Sequence, residues 1–325
     1  MDRRAFVSGI TAGLLAAPLA AAAQQAGKVY RIGLIGVDTA EGPGHIAFRQ
    51  GLHALGYEEG KNVVIEYRAA EGQYDRLLAL TTELVGLKVD LLVTSSTPGA
   101  RAAKQVTTTI PVVVAIIGDA VAAGIVPSLA RPGGNITGSQ FHYPDVMAKR
   151  LELLREAVPR LARIAVIFNP ANQSIGPALK AMEATARVLN VELQPVAIKG
   201  PPGLDPALTV LAQQRSDAFI VADDPMLRRA HGRAIAEVAV KRRLPSVGDS
   251  EYVNNGGLLA YAVNRLEVWR RAASFVDKIL KGTNPGDLPF EQIDRIELAI
   301  NLKTAKALGL TIPPSLLQRA DQVIE

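Results

Sequence analysis

The chain repeats one architectural unit. Val29 to Gly36 (VYRIGLIG) is a continuous apolar run of the kind that forms a parallel strand buried on both faces, and Arg163 to Pro170 (RIAVIFNP) is its counterpart in the second half. Each opens a series of alternating helices and strands. In the first series a helix over 45–56 leads to a strand at Asn62 to Tyr67. A helix with Leu77, Leu80, Leu84 and Leu87 on one face follows, then strands at Val89 to Thr94 and Ile110 to Ile117. In the second, a helix carrying Leu179, Met182, Ala186 and Leu189 leads to strands at Val191 to Val196, Ala218 to Ala222 and Pro245 to Val247. The intervals agree, with 59 residues from Arg31 to Asp90 and 54 from Arg163 to Asp217. This rhythm predicts an α/β fold of two doubly wound parallel-sheet lobes, and one large sheet is the competing arrangement.

Two segments read as crossings between the lobes. Gly133-Gly134-Asn135-Ile136-Thr137-Gly138 and Gly256-Gly257-Leu258-Leu259-Ala260-Tyr261 each put a glycine pair before an extended apolar stretch, at the same place in each series. They are expected to be hinges, with plain turns before edge strands as the alternative. An amphipathic helix over Leu266 to Leu280, ended by Lys281-Gly282, leads through Pro285 and Pro289 to a third connection. A late strand at Ile296 to Asn301 and a short helix from Thr304 to Leu308 follow. Three crossings result, with a first lobe at 29–140 plus 262–287 and a second at 141–261 plus 288–325.

The N-terminus reads as an export signal over residues 1–23. Arg3 and Arg4 form a basic start, Phe6 to Ala17 is mostly apolar, and Ala21-Ala22-Ala23 offers a small-residue cleavage site before Gln24. Ser8, Gly9, Thr11, Gly13 and Pro18 interrupt the apolar stretch, which falls short of the ~20 residues a span needs. The Arg3-Arg4-Ala5-Phe6-Val7 run admits twin-arginine export beside the general route. A periplasmic protein is expected.

Composition narrows the chemistry. With no cysteine, disulfides, thiol catalysis and a cysteine-linked lipid anchor are excluded, and His45, His53, His142 and His231 form no ligand pair, so neither metal nor cofactor is expected. The formal charge of +5 is scattered, with its densest cluster, Lys241-Arg242-Arg243, placed as a helix end, so nucleic acid is not an expected partner.

Several stretches carry a family resemblance: Ala47-Phe48-Arg49-Gln50-Gly51-Leu52, Leu55-Gly56-Tyr57, Val64-Ile65-Glu66-Tyr67-Arg68, the run Leu129 to Gly138 (LARPGGNITG) and the run Ile300 to Leu310 (INLKTAKALGL). The chain resembles ABC-transporter substrate-binding proteins of the tryptophan/tyrosine-binding type. That resemblance implies a type I periplasmic binding fold, a monomer whose two lobes close on a small ligand and present it to a membrane permease.

In open α/β sheets ligands sit beyond the carboxyl ends of the strands. Ser95, Ser96 and Thr97 follow a first-lobe strand and open a helix, where hydroxyls and free N–H groups suit a carboxylate, although helix capping alone explains such residues too. The resembling family uses this loop for its ligand. Asp119, after the strand at Ile110 to Ile117, is a candidate for an ammonium group or a plain turn residue. In the second lobe Asn169 ends a strand, and Asp223-Asp224-Pro225 ends another; the resemblance places Asp224 on the family's aspartate position, and a helix cap is the competing role. Ser250 follows the next strand beside Asp249 and Glu251, and Tyr261 lies on the second expected crossing. The run Val247-Gly248-Asp249 departs from the family by lacking an aromatic residue near that turn, which leaves ligand size open. Few aromatic residues favour an amino acid or small carboxylate over a stacked sugar.

Rival classes lack their signatures. Gly36-Val37-Asp38-Thr39-Ala40 is no phosphate loop, and no GxSxG elbow is present, so an enzyme is not expected; a hydrolase using paired acids such as Asp119 and Asp224 is the low alternative. A ligand-loaded sensor that docks on a membrane receptor shares every feature above. A DNA-binding regulator of similar design would carry a helix-turn-helix where the export signal stands.

Overall fold

A computed structural model describes residues 28–37 and 42–325, and the expected export signal lies outside the described residues. In the first lobe β1 (Tyr30–Gly36), α1 (Pro43–Ala54), β2 (Val63–Ala69), α2 (Leu77–Gly86), β3 (Leu91–Thr94), α3 (Ser96–Val106), β4 (Val112–Ile117) and β5 (Ile136–Gln140) follow one another. The chain crosses at Phe141 and His142 into the second lobe. There α4 (Tyr143–Ala157), β6 (Arg163–Phe168), α5 (Ile175–Leu189), β7 (Glu192–Ala197), α6 (Leu204–Gln213), β8 (Ala218–Val221), α7 (Gly232–Lys241), β9 (Ser246–Gly248), α8 (Ser250–Asn254) and β10 (Leu259–Val263) follow. It returns at Asn264 for α9 (Arg265–Leu280) and β11 (Glu291–Gln292). It then crosses again for β12 (Ile296–Asn301), α10 (Leu302–Leu308), α11 (Pro314–Leu317) and β13 (Gln322–Ile324).

Two sheets result. The first runs β11-β5-β4-β3-β1-β2 and is parallel throughout; the second runs β13-β12-β10-β9-β8-β6-β7, with β12 antiparallel to β10. The Val/Ile-rich strands are covered on both faces, as parallel strands require. On one face of the first sheet Phe48 and Leu52 of α1 pack with Trp269, Ala272 and Val276 of α9. On the other, Leu80 and Leu84 of α2 meet Ala100 and Ala103 of α3. In the second lobe α4 and α5 cover one face, and α6 and α7 the other.

The duplication extends to single bonds. In the first lobe Arg31 N–H donates to Asp90 Oδ2 at 2.8 Å, and Asp90 N–H returns to Arg31 O at 2.7 Å. In the second, Arg163 N–H donates to Asp217 Oδ2 at 2.8 Å and Asp217 N–H to Arg163 O at 2.8 Å. The same exchange therefore fixes β1 against β3 in the first lobe and β6 against β8 in the second.

The glycine pairs are not hinges. Each precedes the strand that leads to a crossing, and the crossings fall after β5, β10 and β11. Gly133 N–H bonds Gly286 O at 3.1 Å, and a Cβ on Gly286 would lie 2.8 Å from Gly134 O, so this pair serves a close backbone approach. Gly256 has φ of 106° at the end of α8, and a Cβ on Gly257 would meet the Tyr252 ring at 2.2 Å. Glu291 and Gln292 pair with Ser139 and Gln140 in the first sheet, which carries that lobe past residue 287.

Candidate functional site

The carboxyl ends of β3, β4, β8 and β9 face one another across the lobes and enclose a cavity. Its volume is about 50 Å³. Polar groups reach it from Ser95, Ser96 and Thr97 on one side and from Asn172, Asp223, Asp224, Arg228 and Asp249 on the other. Ile116, Ile117, Phe141, Tyr143, Ala262 and Val263 supply an apolar wall, in which Phe141 and Tyr143 meet edge to face at 5.8 Å.

The first-lobe side is the start of α3. Ser95 holds the N-cap position in extended backbone, yet its side chain makes no capping bond, so the first N–H groups of the helix keep their electropositive ends free. Ser96 has φ of 70°, uncommon for a residue with a side chain, and its Oγ is buried without a hydrogen-bond partner. A buried hydroxyl without a partner costs about 1–3 kcal/mol, which an incoming acceptor would relieve.

The second-lobe side is acidic and held by arginines. Arg150 on α4 is fully buried and donates to Tyr261 O at 2.9 Å, Val221 O at 3.0 Å and Asp223 Oδ1 at 2.7 Å. It thus ties the ends of β8 and β10 to the aspartate between them. The Asp223 N–H donates to Tyr143 Oη at 3.0 Å. Burial pushes the Asp223 carboxyl up, Arg150 offsets part of this, and the charge on Asp249 adds to it. Asp249 is also penalised by burial, but Arg228 at 3.2 Å and the Tyr252 N–H at 2.9 Å outweigh the penalty and hold its carboxyl below the usual range.

The expected site residues divide. Ser95, Ser96, Thr97 and Asp224 reach the cavity. Asp224 is already occupied: Oδ1 accepts from Asn169 Nδ2 at 3.3 Å and Leu227 N–H at 3.0 Å, and Oδ2 accepts from Asn172 Nδ2 at 3.0 Å and Tyr74 Oη at 2.8 Å. Asn169 sits behind it, buried. Asp119 does not line this cavity but an adjoining opening that shares Thr97, Gly118, Tyr143 and Ser174 with it, and its Oδ1 accepts from the N–H groups of Val121 and Ala122 in its own turn. Ser250 begins α8 and lines a neighbouring opening with His45, Trp269 and Arg228, while Tyr261 lines an outer pocket with His142 and Gln292. Tyr143, Arg150, Asn172, Arg228 and Arg265 were not anticipated. A signal existed for Arg150: Tyr143, Met147 and Arg150 follow helical spacing on the buried face of α4, where an arginine needs partners.

The family model for ABC transporter substrate binding proteins matches residues 41–324. The chain belongs to the ABC transporter substrate-binding proteins. A tyrosine-binding protein of Clostridioides difficile is 26% identical over 264 residues, covering 81% of this chain and 75% of that protein. The crystal structure of an ABC domain in complex with L-Trp from Streptococcus pneumonia is 25% identical, with a TM-score of 0.84, covering 91% of this chain and all of that one. A ligand-free, open substrate-binding protein from Clostridium difficile, also 25% identical over 91% of this chain and 99% of that one, superposes with a TM-score of 0.62. Among the described residues no helix is long and apolar enough to cross a membrane, and no group of histidines and acids forms a metal site.

Proposed function

We propose that this substrate-binding protein captures a small-molecule ligand, an amino acid, outside the cytoplasm and delivers it to an ABC permease for import. The observation that carries the reading is the Ser96 hydroxyl, buried and unpartnered at an uncapped helix start, with Asp223 on the facing lobe. A ligand carboxylate fits the α3 terminus. A ligand ammonium fits Asp223, whose side chain keeps 19% of its surface, better than Asp224, whose oxygens are taken. The apolar wall of Phe141, Tyr143, Ile116 and Val263 accepts a hydrophobic side chain, and the names of the tyrosine-binding relative and the L-Trp complex support that choice. No residue of the cavity is needed as an acid, base or nucleophile.

A thermal-shift screen of amino acids and small carboxylates tests the reading. A ligand bound only by the folded protein adds about 2.7 kcal/mol at a hundredfold excess over its Kd. Ser96→Ala should then weaken the best ligand by about tenfold, the loss expected for one hydrogen bond to a charged group, while raising the unliganded midpoint, because an unpartnered buried hydroxyl is removed. Unchanged affinity in this variant, or turnover of any hit, contradicts the proposal.

A further inference from the structure

Tyr74 is the residue whose position the ligand cavity does not explain. It opens a three-residue helical turn, Tyr74–Arg76, in the loop after β2, and it does not line the cavity. Its ring packs against the first-lobe core around Leu77 and Leu80 and also against the second-lobe core around Met226 and Leu227. Its hydroxyl crosses between the lobes to Asp224 Oδ2 at 2.8 Å.

The loop that presents it is hydrogen-bonded to the end of β1 and within itself. Ala70 N–H bonds Gly36 O at 2.8 Å, Gln73 N–H bonds Ala70 O at 2.9 Å, and Arg76 pairs with Glu71 at 3.1 Å. On the other side Asp224 cannot turn away, because Asn169, Asn172 and the Leu227 N–H hold both its oxygens. Burial and the facing carboxylate push the Tyr74 hydroxyl well above its ordinary range, so it remains a donor at any working pH. A hydrogen bond to an ionised acceptor is among the stronger ones, and two pre-set partners lose little freedom on forming it.

We propose that Tyr74 is a positioning residue for ligand capture: its hydroxyl latches the first lobe onto Asp224 of the second and so sets how much of the protein is closed. The inference rests on the capture reading for its consequence, since affinity scales with the closed fraction even for a residue that never touches the ligand. It also gives Asp224 a task distinct from that of Asp223. One aspartate holds the lobes together while its neighbour stays open to the ligand.

The test measures closure directly and needs no ligand. The chain has no cysteine, so Gln105→Cys on α3 and Glu183→Cys on α5, both exposed and on opposite lobes, accept a spin-label pair without background. In the ligand-free protein a short-distance population is expected, and Tyr74→Phe, which keeps the ring, should lower the closed-to-open ratio by about tenfold. Adding Asp224→Asn to Tyr74→Phe should change the distances no further, as for two partners in one interaction. Identical distance distributions with and without the Tyr74 hydroxyl, whether both closed or both open, overturn the latch. So does a second large shift on adding Asp224→Asn. If L-tyrosine or L-tryptophan binds, its Kd should rise in Tyr74→Phe by the factor by which the closed fraction falls. If neither binds, the capture reading suffers and the latch is still decided by the distances.

Discussion

Asp223, Asp224 and Asp249 are three carboxylates at one cavity, and their partners separate them. Asp249 faces Arg228 and caps α8. Its folded pKa lies below its unfolded one, so its contribution is complete above the ordinary carboxylate range and is lost as the pH falls through the lower folded value. Asp223 has the opposite sign: its folded pKa is raised, so stability falls as the pH rises through that value. Asp249→Asn should cost about 2 kcal/mol at neutral pH, because Arg228 loses a buried partner. Thermal midpoints of the two proteins should converge as an acid titration protonates Asp249, and a gap that stays constant throughout the titration contradicts the assignment. At this scale the sequence was legible only in part. The loop rule located Ser95 to Thr97 and the Asp223-Asp224 pair, but it could not say which aspartate was occupied, since that depends on Tyr74, 150 residues away in the chain. Asp119 looked like its equivalent in the first lobe, yet its oxygen is used by its own turn.

Elements were more legible than residues because buried parallel strands are written as unbroken apolar runs. The strands around Arg31, Asn62, Val89, Ile110, Arg163, Val191 and Ala218 lie within about two residues of their expected bounds, an offset typical of strand and helix ends. The two-residue β11 and three-residue β13 left no trace, since edge strands this short carry no period. The glycine pairs were misread as hinges because a permissive backbone serves close packing as readily as bending. Gly138 shows the point most sharply. It sits in β5 with φ of 150°, beside a register shift in the β4 ladder, and a Cβ there would lie 2.0 Å from Val114 O. Gly138→Ala should therefore destabilise the first lobe by at least about 2 kcal/mol, visible as a lower denaturant midpoint. A neutral result would mean that the strand pair moves apart more easily than its burial implies.

For the whole molecule, two lobes with one architecture and a cavity between them were written in the repeat; the contacts that join the lobes were not, since they pair residues far apart in sequence such as Tyr74 and Asp224. The proposed location outside the cytoplasm makes a further prediction. The mature protein should begin within a few residues of Gln24 and fractionate with the periplasm, as N-terminal sequencing would report, and an intact Met1 in the cytosol contradicts it. Replacing Arg3 and Arg4 with lysine should leave export intact if the general route is used. The triple crossing bears on how such a chain reaches its destination. Trp269, Ala272 and Val276 of α9 complete the first-lobe core, and Leu298 and Ile300 of β12 complete that of the second. The first lobe lacks parts until synthesis has passed residue 292 and the second until it has passed residue 324, so for most of its growth the polypeptide has no finished unit to fold from its N-terminal end, in contrast to a tandem of continuous domains. Delay is thus built into the order in which the parts are made, and it keeps the chain threadable until nearly all of it exists.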